Sequence, residues 1–215
     1  MRKPKGGHYK LAMGTPEDSI PKKIGFFGGS FDPFHCGHLE MALGAIKLEN
    51  FDRILLCPAH HAPLRKQKPI FSASDRLAMV QSICKSHHGL SPYSYEIDQE
   101  RTCFTHETIT KVQETFPGSS LSILLGTDQF QQIEKWSHIS ELSKLVHFLV
   151  LARGTYNLPP PKVPGLNFSL MNNPIIDLSS TKIRDRFRAG KSVREFLPPP
   201  IYTYLVSHSL VSDSI

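Results

Sequence analysis

The sequence predicts an α/β fold, with helices on both faces of a doubly wound, mainly parallel sheet and a small helical subregion near the C-terminus. Short apolar runs alternate with helix-like stretches from residue 24 onwards. Runs such as Ile54-Leu55-Leu56 are continuously apolar, which is typical of parallel strands buried on both faces. A glycine-rich turn at residues 28–38 follows the first strand-like run, and ligands of such sheets bind where strands end in this way.

The first elements alternate regularly after a lead-in of residues 1–22. Strands are predicted at 24–27 and 52–57, because both runs are apolar, and the periodic stretch 37–49 between them predicts a helix. A basic loop interrupted by prolines, residues 58–71, follows the second strand.

A capping-box-like sequence at 72–75 begins the next helix, which continues with an amphipathic pattern over 76–87. The chain then predicts a strand at 93–97, a helix at 105–116 that ends before Pro-Gly, and a strongly apolar strand at 121–125.

The remaining elements are shorter, and a loop at 153–165 rich in proline separates them. Helical stretches are predicted at 129–136, 139–145, 179–188 and 199–207, and strands at 147–152, 168–171 and 175–177. This order is typical of a Rossmann-like fold. At 215 residues the chain suits one such domain, at 23–207, followed by a tail at 208–215.

Charge and composition narrow the classes of protein. Six basic and two acidic residues lie in residues 1–23, so the other 192 residues carry a net charge of only +2. We therefore expect no nucleic-acid partner. No apolar stretch of about 18 residues suggests a membrane span, and no signal-peptide pattern follows the basic N-terminus, so we expect a cytoplasmic protein. The four scattered cysteines and the two His-His pairs lack metal-ligand spacing, so no protein-bound metal is predicted.

Three segments with polar chemistry follow predicted strands: 28–38, 126–128 and 178–184. In the first, His35 and His38 flank Gly37 at a strand-to-helix turn, where backbone N–H groups and the helix dipole favour a phosphate. In the third, Arg184 lies one helical turn after Ser180 and Thr181, so hydroxyls and a guanidinium converge on an anion.

Together these motifs resemble the nucleotidyltransferase superfamily with His-x-Gly-His and Ser-Ser-Thr-x-Ile-Arg signatures, and within it the bacterial nicotinate-nucleotide adenylyltransferases. The likeness covers residues 23–207. It includes the loop Pro58 to Arg65, Phe104-Thr105 followed by Thr108, Leu-Leu-Gly-Thr-Asp with Trp136 eight positions on, and Gly190, Leu197-Pro198 and Tyr204. The chain departs from the family pattern at three positions. Leu64 stands where His is usual, Phe104 where Tyr is common, and Leu178 where Ile is common.

The resemblance implies adenylyl transfer from ATP to nicotinate mononucleotide, giving deamido-NAD and pyrophosphate, with Mg²⁺ carried by the ATP phosphates. The expected catalytic residues are His35, His38 and Arg184. The expected ATP-binding residues are Gly28, Gly29, Ser30, Phe31, Gly37, Gly126, Asp128, Ser180 and Thr181. The expected mononucleotide-binding residues are Arg65, Phe104, Thr105, Trp136 and Arg153, with Trp136 stacking on the pyridine ring.

Other functions remain open at this point. The acceptor could be nicotinamide mononucleotide, since backbone contacts that distinguish acid from amide leave no mark in the sequence. A phosphopantetheine adenylyltransferase is less consistent with His35 and Trp136, and a tRNA-ligase-type domain would need a lysine-rich loop and a tRNA-binding extension. A non-catalytic nucleotide sensor would not need the histidine pair or Arg184. The sequence leaves the oligomeric state open.

Overall fold

A computed structural model of the chain describes residues 20–64, 67–151, 159–172 and 178–211, and six strands among them form one parallel sheet. In chain order the strands are β1 (Lys23–Gly29), β2 (Arg53–Pro58), β3 (Leu90–Pro92), β4 (Ser120–Gly126), β5 (His147–Leu151) and β6 (Phe168–Met171). They lie side by side in the order β3-β2-β1-β4-β5-β6. The predicted Rossmann-like, doubly wound sheet is confirmed, and the strand order reverses between β1 and β4.

Eight α-helices connect or follow these strands in the described residues. They are α1 (Cys36–Glu49), α2 (Ala73–Cys84), α3 (Tyr95–Asp98), α4 (Thr105–Thr115), α5 (Thr127–Phe130), α6 (Ile139–Leu145), α7 (Ser180–Arg188) and α8 (Pro199–Ser207). Short 3-10 turns lie at Ile133–Lys135 and Arg194–Phe196. In the part of the chain that the structure describes, no helix is both long enough and apolar enough to cross a bilayer.

Each face of the sheet carries its own apolar core, because neighbouring residues of a strand point to opposite faces. Phe27 and Leu124 pack in the core that includes α1, α2, α7 and α8. Their neighbours Phe26 and Leu125 pack in the core that includes α4, α5 and α6. This two-sided burial explains why the strands are continuously apolar rather than alternating.

The predicted capping box at the start of α2 is present and also anchors the C-terminal helices. The Ser72 hydroxyl accepts a hydrogen bond from Asp75 N (3.1 Å), and the Asp75 carboxylate accepts one from Ser72 N (3.2 Å). The Tyr204 hydroxyl of α8 donates to the same carboxylate at 2.9 Å. Leu210 and Val211, beyond α8, pack against the core that includes α1, α2, α7 and α8.

The strand predicted at 93–97 is wrong. The strand is β3, which ends at Pro92, and Tyr95–Asp98 forms the short helix α3. Tyr93 and Tyr95 are both buried, which imitates strand alternation in the sequence. Ser94 instead donates a hydrogen bond to the Asp98 carboxylate at 2.7 Å, a contact between residues one helical turn apart.

The helix predicted at 129–136 is also wrong in its bounds. Gly126 is the N-cap of α5, which therefore begins at Thr127 and ends at Phe130, and the chain continues as the 3-10 turn Ile133–Lys135. The strand predicted at 175–177 lies outside the described residues. The proposed boundaries of the domain at residues 22 and 207 stay a prediction.

Candidate active site

A cleft of about 710 Å³ opens at the carboxyl ends of β1 and β4. Its floor is formed by Phe26–Gly29 of β1 and Ile123–Gly126 of β4. These two strands are the neighbours between which the strand order reverses, and open parallel sheets bind ligands at that point. The fold thus brings the three predicted polar segments to one edge of the sheet.

The N-terminus of α1 carries the histidine pair. His35 is the N-cap, and its Nδ1 accepts a hydrogen bond from His38 N (3.3 Å), while His38 Nδ1 accepts one from His35 N (3.2 Å). The two rings stack with centroids 3.7 Å apart. Because each Nδ1 is an acceptor, Nε2 is the nitrogen that bears hydrogen in the neutral rings. His38 therefore presents a fixed N–H donor on the cleft wall.

Burial separates the two histidines. His35 is fully buried behind the His38 ring, whereas His38 lines the cleft. The first turn of α1 contains no acidic residue, so the positive end of its dipole is not neutralised locally. This end of the cleft can accept a phosphate group.

The N-terminus of α7 reaches the same cleft with three hydroxyl residues. Ser179 is the N-cap and accepts from Lys182 N at 3.2 Å. The Ser180 hydroxyl donates to the Pro33 carbonyl at 3.1 Å, and Arg184 Nη2 donates to the Thr181 hydroxyl at 3.0 Å. These contacts join α7 to the loop before α1, so two helix N-termini meet at one anion-binding edge.

Asp32 holds this junction together from a fully buried position. Its carboxylate accepts hydrogen bonds from the backbone N–H groups of Ile70 and Phe71 (both 3.0 Å). Its backbone carbonyl accepts from Arg184 Nη1 at 2.9 Å. Asp32 lies in the predicted motif, but the sequence analysis assigned it no role, because its partners are distant in the chain.

The glycines at the end of β1 are required by neighbouring aromatic rings. A Cβ on Gly28 would lie 2.9 Å from the Phe26 ring, and one on Gly29 would lie 3.1 Å from the Phe31 ring. Phe31 itself has a φ of 46°, in the left-handed region. A Cβ at either position would force the neighbouring ring to shift, so glycine lets the backbone lie close to the cleft here.

The other end of the cleft is aromatic. Phe104, Thr105 and Trp136 line it, and the Phe104 side chain is 44% exposed. Phe104 is the N-cap of α4, so no side chain at that position accepts from the first-turn N–H groups of Thr105 and its successors. Flat apolar rings beside open N–H groups can bind an aromatic ring that carries an acceptor substituent.

The structure places most of the predicted site residues in this one cleft. The lining includes Gly28, Gly29, Ser30, Phe31, His38, Phe104, Thr105, Gly126, Asp128, Trp136, Ser180, Thr181 and Arg184. His35 and Gly37 are buried behind the lining. Arg65 and Arg153 lie outside the described residues. Leu64, the departure from the family pattern, is half-exposed on the cleft wall.

Arg76 is a structural residue of the site that the sequence analysis missed. It is 1% exposed, and its guanidinium donates to the carbonyls of Ser30 (2.8 Å), His60 (3.0 Å), Ala59 and Phe71. It therefore fixes the end of β1 against the loop after β2. In the sequence, a buried arginine on a helix cannot be distinguished from an exposed one.

Glu96 and Lys135 are further cleft residues that the sequence analysis did not identify. Glu96 lay in the segment predicted as a strand, and its position in α3 is what turns it towards the cleft. Lys135 lies beside Trp136 in the 3-10 turn, which the sequence presents only as part of a polar stretch.

The Cys36 thiol lies in the first turn of α1, beside the histidine pair. Burial, with a further contribution from Glu40, raises the pKa of the Cys36 thiol above its usual value, so the thiol is not activated. Within the described ranges, no group of three or more His, Cys, Asp or Glu could hold a metal ion.

Comparison with known sequences agrees with this geometry. Residues 26–186 match the cytidylyltransferase-like family. The probable nicotinate-nucleotide adenylyltransferase of Opitutus terrae is 33% identical over 193 residues, covering 89% of this chain and 99% of its own. Its counterpart from Staphylococcus epidermidis is 32% identical over 192 residues, covering 89% and 98%.

Comparison of folds agrees as well. A Plasmodium falciparum nicotinic acid mononucleotide adenylyltransferase, solved in complex with NaAD, superposes with a TM-score of 0.71 at 19% identity, covering 88% of this chain and 97% of its own. At that identity the likeness concerns the fold. The matches to the family and to its sequence relatives together show that the chain belongs to the cytidylyltransferase-like family, among the nicotinate-nucleotide adenylyltransferases.

Proposed function

We propose that the protein transfers the adenylyl group of ATP to the 5′-phosphate of nicotinate mononucleotide, giving deamido-NAD and pyrophosphate. The observation that carries the proposal is that the phosphate-binding helix ends and the aromatic wall belong to one cleft of about 710 Å³. Ligand pockets commonly measure about 300–1,000 Å³, and this cleft lies within that range. The relatives at 32–33% identity are named as probable enzymes of this activity.

In the proposed reaction, a phosphate oxygen of the mononucleotide attacks the α-phosphorus of ATP. The bond from that phosphorus to the bridging oxygen breaks, and pyrophosphate leaves with the electron pair. The attacking phosphate is already an anion, so no general base is required. The protein's task is to align two anions and to stabilise the charge that spreads over the phosphoryl oxygens.

The ATP side of the cleft is the wall formed by α1 and α7. His38 would donate from Nε2 to the phosphates, and the N-termini of both helices would add backbone donors. Ser180, Thr181 and Arg184 would bind the triphosphate, and Arg184 would face the leaving pyrophosphate. His35 would act by holding the His38 ring, which it stacks against and hydrogen-bonds. Gly126 and Asp128 would face ribose hydroxyls.

The mononucleotide would occupy the aromatic end. Trp136 and Phe104 would contact the pyridine ring, and the Thr105 N–H would donate to its carboxylate. Arg65 and Arg153 remain candidates for its phosphate. Mg²⁺, carried by the phosphates of ATP, would neutralise part of their charge, and no cluster of ligands in the described residues competes for it.

Pyrophosphate release from Mg-ATP tests the proposal, with nicotinate mononucleotide, nicotinamide mononucleotide and phosphopantetheine as separate acceptors. We expect a large preference in kcat/KM for the nicotinate compound, and loss of release in the His38→Ala variant. Comparable rates with acid and amide would instead indicate a dual-specificity enzyme. No release with any acceptor would overturn the proposed function.

A further inference from the structure

Glu96 is a buried carboxyl group on the wall of the candidate active site. Only 7% of the residue is exposed, and it lines the cleft together with Cys103, Phe104 and Thr105. Its Oε1 accepts a hydrogen bond from the Thr108 hydroxyl at 2.8 Å. The adenylyl-transfer mechanism proposed above does not use this group.

Polar and titratable groups surround the Glu96 carboxyl group. From α4 it faces Thr108 and the carboxylate of Glu107, and from β2 it faces the Cys57 thiol. Cys103, before α4, is a further neighbour. Glu107 is paired with Arg101 and accepts from the Tyr95 hydroxyl (3.0 Å).

No cation among the described residues pairs with Glu96. Burial, with a smaller contribution from Glu107, outweighs the hydrogen bonds from Thr108 and Cys57 and raises the pKa of Glu96 to about 7. The carboxyl group thus titrates within the range of neutral pH. Its protonation state is open to change by a charged ligand in the cleft.

Thr108 connects this carboxyl group to the aromatic end of the cleft. The Thr108 N–H donates to the Phe104 carbonyl at 3.2 Å, and the Thr108 hydroxyl lies 3.5 Å from the same carbonyl. The hydroxyl has one hydrogen, which it donates to an ionised Glu96. When Glu96 is protonated, its own O–H can donate to Thr108 and release that hydrogen towards Phe104.

We propose that Glu96 is a specificity-determining positioning residue, whose carboxyl group takes up a proton when the ring carboxylate of nicotinate mononucleotide enters the cleft beside Phe104 and Thr105. The inference rests on the proposed function, because it needs the pyridine ring at that end of the cleft. An ionised Glu96 repels the ring carboxylate, because the Glu96 carboxyl group is buried and water screens its charge only weakly. A ring carboxamide carries no charge and leaves Glu96 unaffected.

The sign of the pH dependence follows. Below the pKa of about 7, Glu96 is protonated before the acid substrate arrives, so binding incurs no electrostatic penalty. Above it, binding must recruit a proton, and the affinity for the acid falls by up to about tenfold per pH unit. Glu96 imposes no such pH dependence on the amide. The preference for acid over amide is therefore greatest below neutral pH.

The experiment measures the ratio of kcat/KM for nicotinate mononucleotide to that for nicotinamide mononucleotide, between pH 6 and pH 9 at constant ionic strength. The ratio cancels any pH dependence that is common to both substrates, such as that of the 5′-phosphate. In the wild type we expect the ratio to fall as pH rises above about 7. Glu96→Gln, neutral at every pH, should give a flat ratio. Asp98→Asn, on the same helix but exposed, should behave as the wild type.

Calorimetry of the wild type provides a second measurement, should Glu96→Gln fail to fold. Titrations at pH 8 in two buffers of different ionisation enthalpy report proton uptake. We expect the acid to take up more protons than the amide, by up to about one proton. A ratio independent of pH, or equal proton uptake, would overturn the inference while leaving adenylyl transfer intact. No turnover of either mononucleotide would overturn the proposed function and the inference together.

Discussion

The guanidinium of Arg184 meets Asp32 both at its backbone and at its side chain. Nη1 donates to the Asp32 carbonyl at 2.9 Å and lies 3.7 Å from the carboxylate oxygen Oδ2. Because the same carboxylate accepts from the N–H groups of Ile70 and Phe71, one buried residue joins α7, the loop after β1 and the segment before α2. The anion-binding edge of the cleft therefore depends on this buried contact between Arg184 and Asp32.

Replacing Asp32 with Asn should damage both stability and catalysis. Asn keeps the shape but removes the buried charge, so Arg184 loses its counter-charge and an amide N–H faces backbone donors. Removing one partner of a buried ion pair costs about 3–5 kcal/mol. We expect the free energy of unfolding in urea to fall by about that much, and kcat to fall because Arg184 and Thr181 lose their positions.

Asp185→Asn is the matched control. Asp185 belongs to the same helix and pairs with Arg188 at 2.9 Å, but both side chains are more than half exposed. Exposed pairs contribute about 0–1 kcal/mol. Equal losses of stability in the two variants would contradict the central role assigned to Asp32.

The histidine pair shows how much of this site could be predicted. The sequence places His35 and His38 at a strand-to-helix turn, and the structure confirms that position. Sequence spacing could not show that His35 is buried behind His38, because the reciprocal hydrogen bonds and ring stacking depend on the local backbone. The contact between Arg184 and Asp32 spans 152 positions, so no local pattern could reveal it.

Replacing each of the two histidines should therefore have a different effect on kcat and stability. His38→Ala removes a preorganised donor from the cleft wall, so we expect kcat to fall by about 100-fold or more with a small change in stability. His35→Ala removes the N-cap of α1 and should additionally lower the free energy of unfolding by about 1 kcal/mol. Steady-state kinetics and urea unfolding on both variants decide this. Turnover near the wild-type value in His38→Ala would exclude His38 from the mechanism.

Arg76 fixes the end of β1 against the loop after β2 through four carbonyl groups. Lysine at this position keeps the charge but cannot span those acceptors, so carbonyls would lose buried hydrogen bonds. We expect Arg76→Lys to reduce the free energy of unfolding by about 2–4 kcal/mol. Arg188→Lys, at an exposed position, should be nearly neutral. A harmless Arg76→Lys would show that the carbonyl contacts contribute little.

Trp136 should affect one substrate more than the other. If its ring stacks on the pyridine, Trp136→Ala raises KM for the mononucleotide by about tenfold, while KM for ATP changes little. Trp136→Phe keeps an aromatic face and should restore much of the loss. Equal increases in KM for both substrates would count against stacking.

Glu96 should make the free energy of unfolding depend on pH, even without a substrate. Its pKa is raised from an ordinary 4.5 to about 7 in the folded protein. Between these two values the folded chain binds more protons than the unfolded chain, so the free energy of unfolding falls as pH rises and becomes level above pH 7. The full difference amounts to at most about 3.5 kcal/mol, at about 1.4 kcal/mol per pKa unit.

Glu96→Gln removes that dependence, because the amide does not titrate and its oxygen can still accept from Thr108. Relative to the wild type, the variant should therefore gain stability between pH 5 and pH 8. Urea unfolding at the two pH values measures the gain. Asp98→Asn, exposed on the same helix, should keep the wild-type pH dependence. If the difference between Glu96→Gln and wild type is the same at both pH values, the carboxyl group does not titrate in this range, and its proposed coupling to the ring carboxylate loses its physical basis.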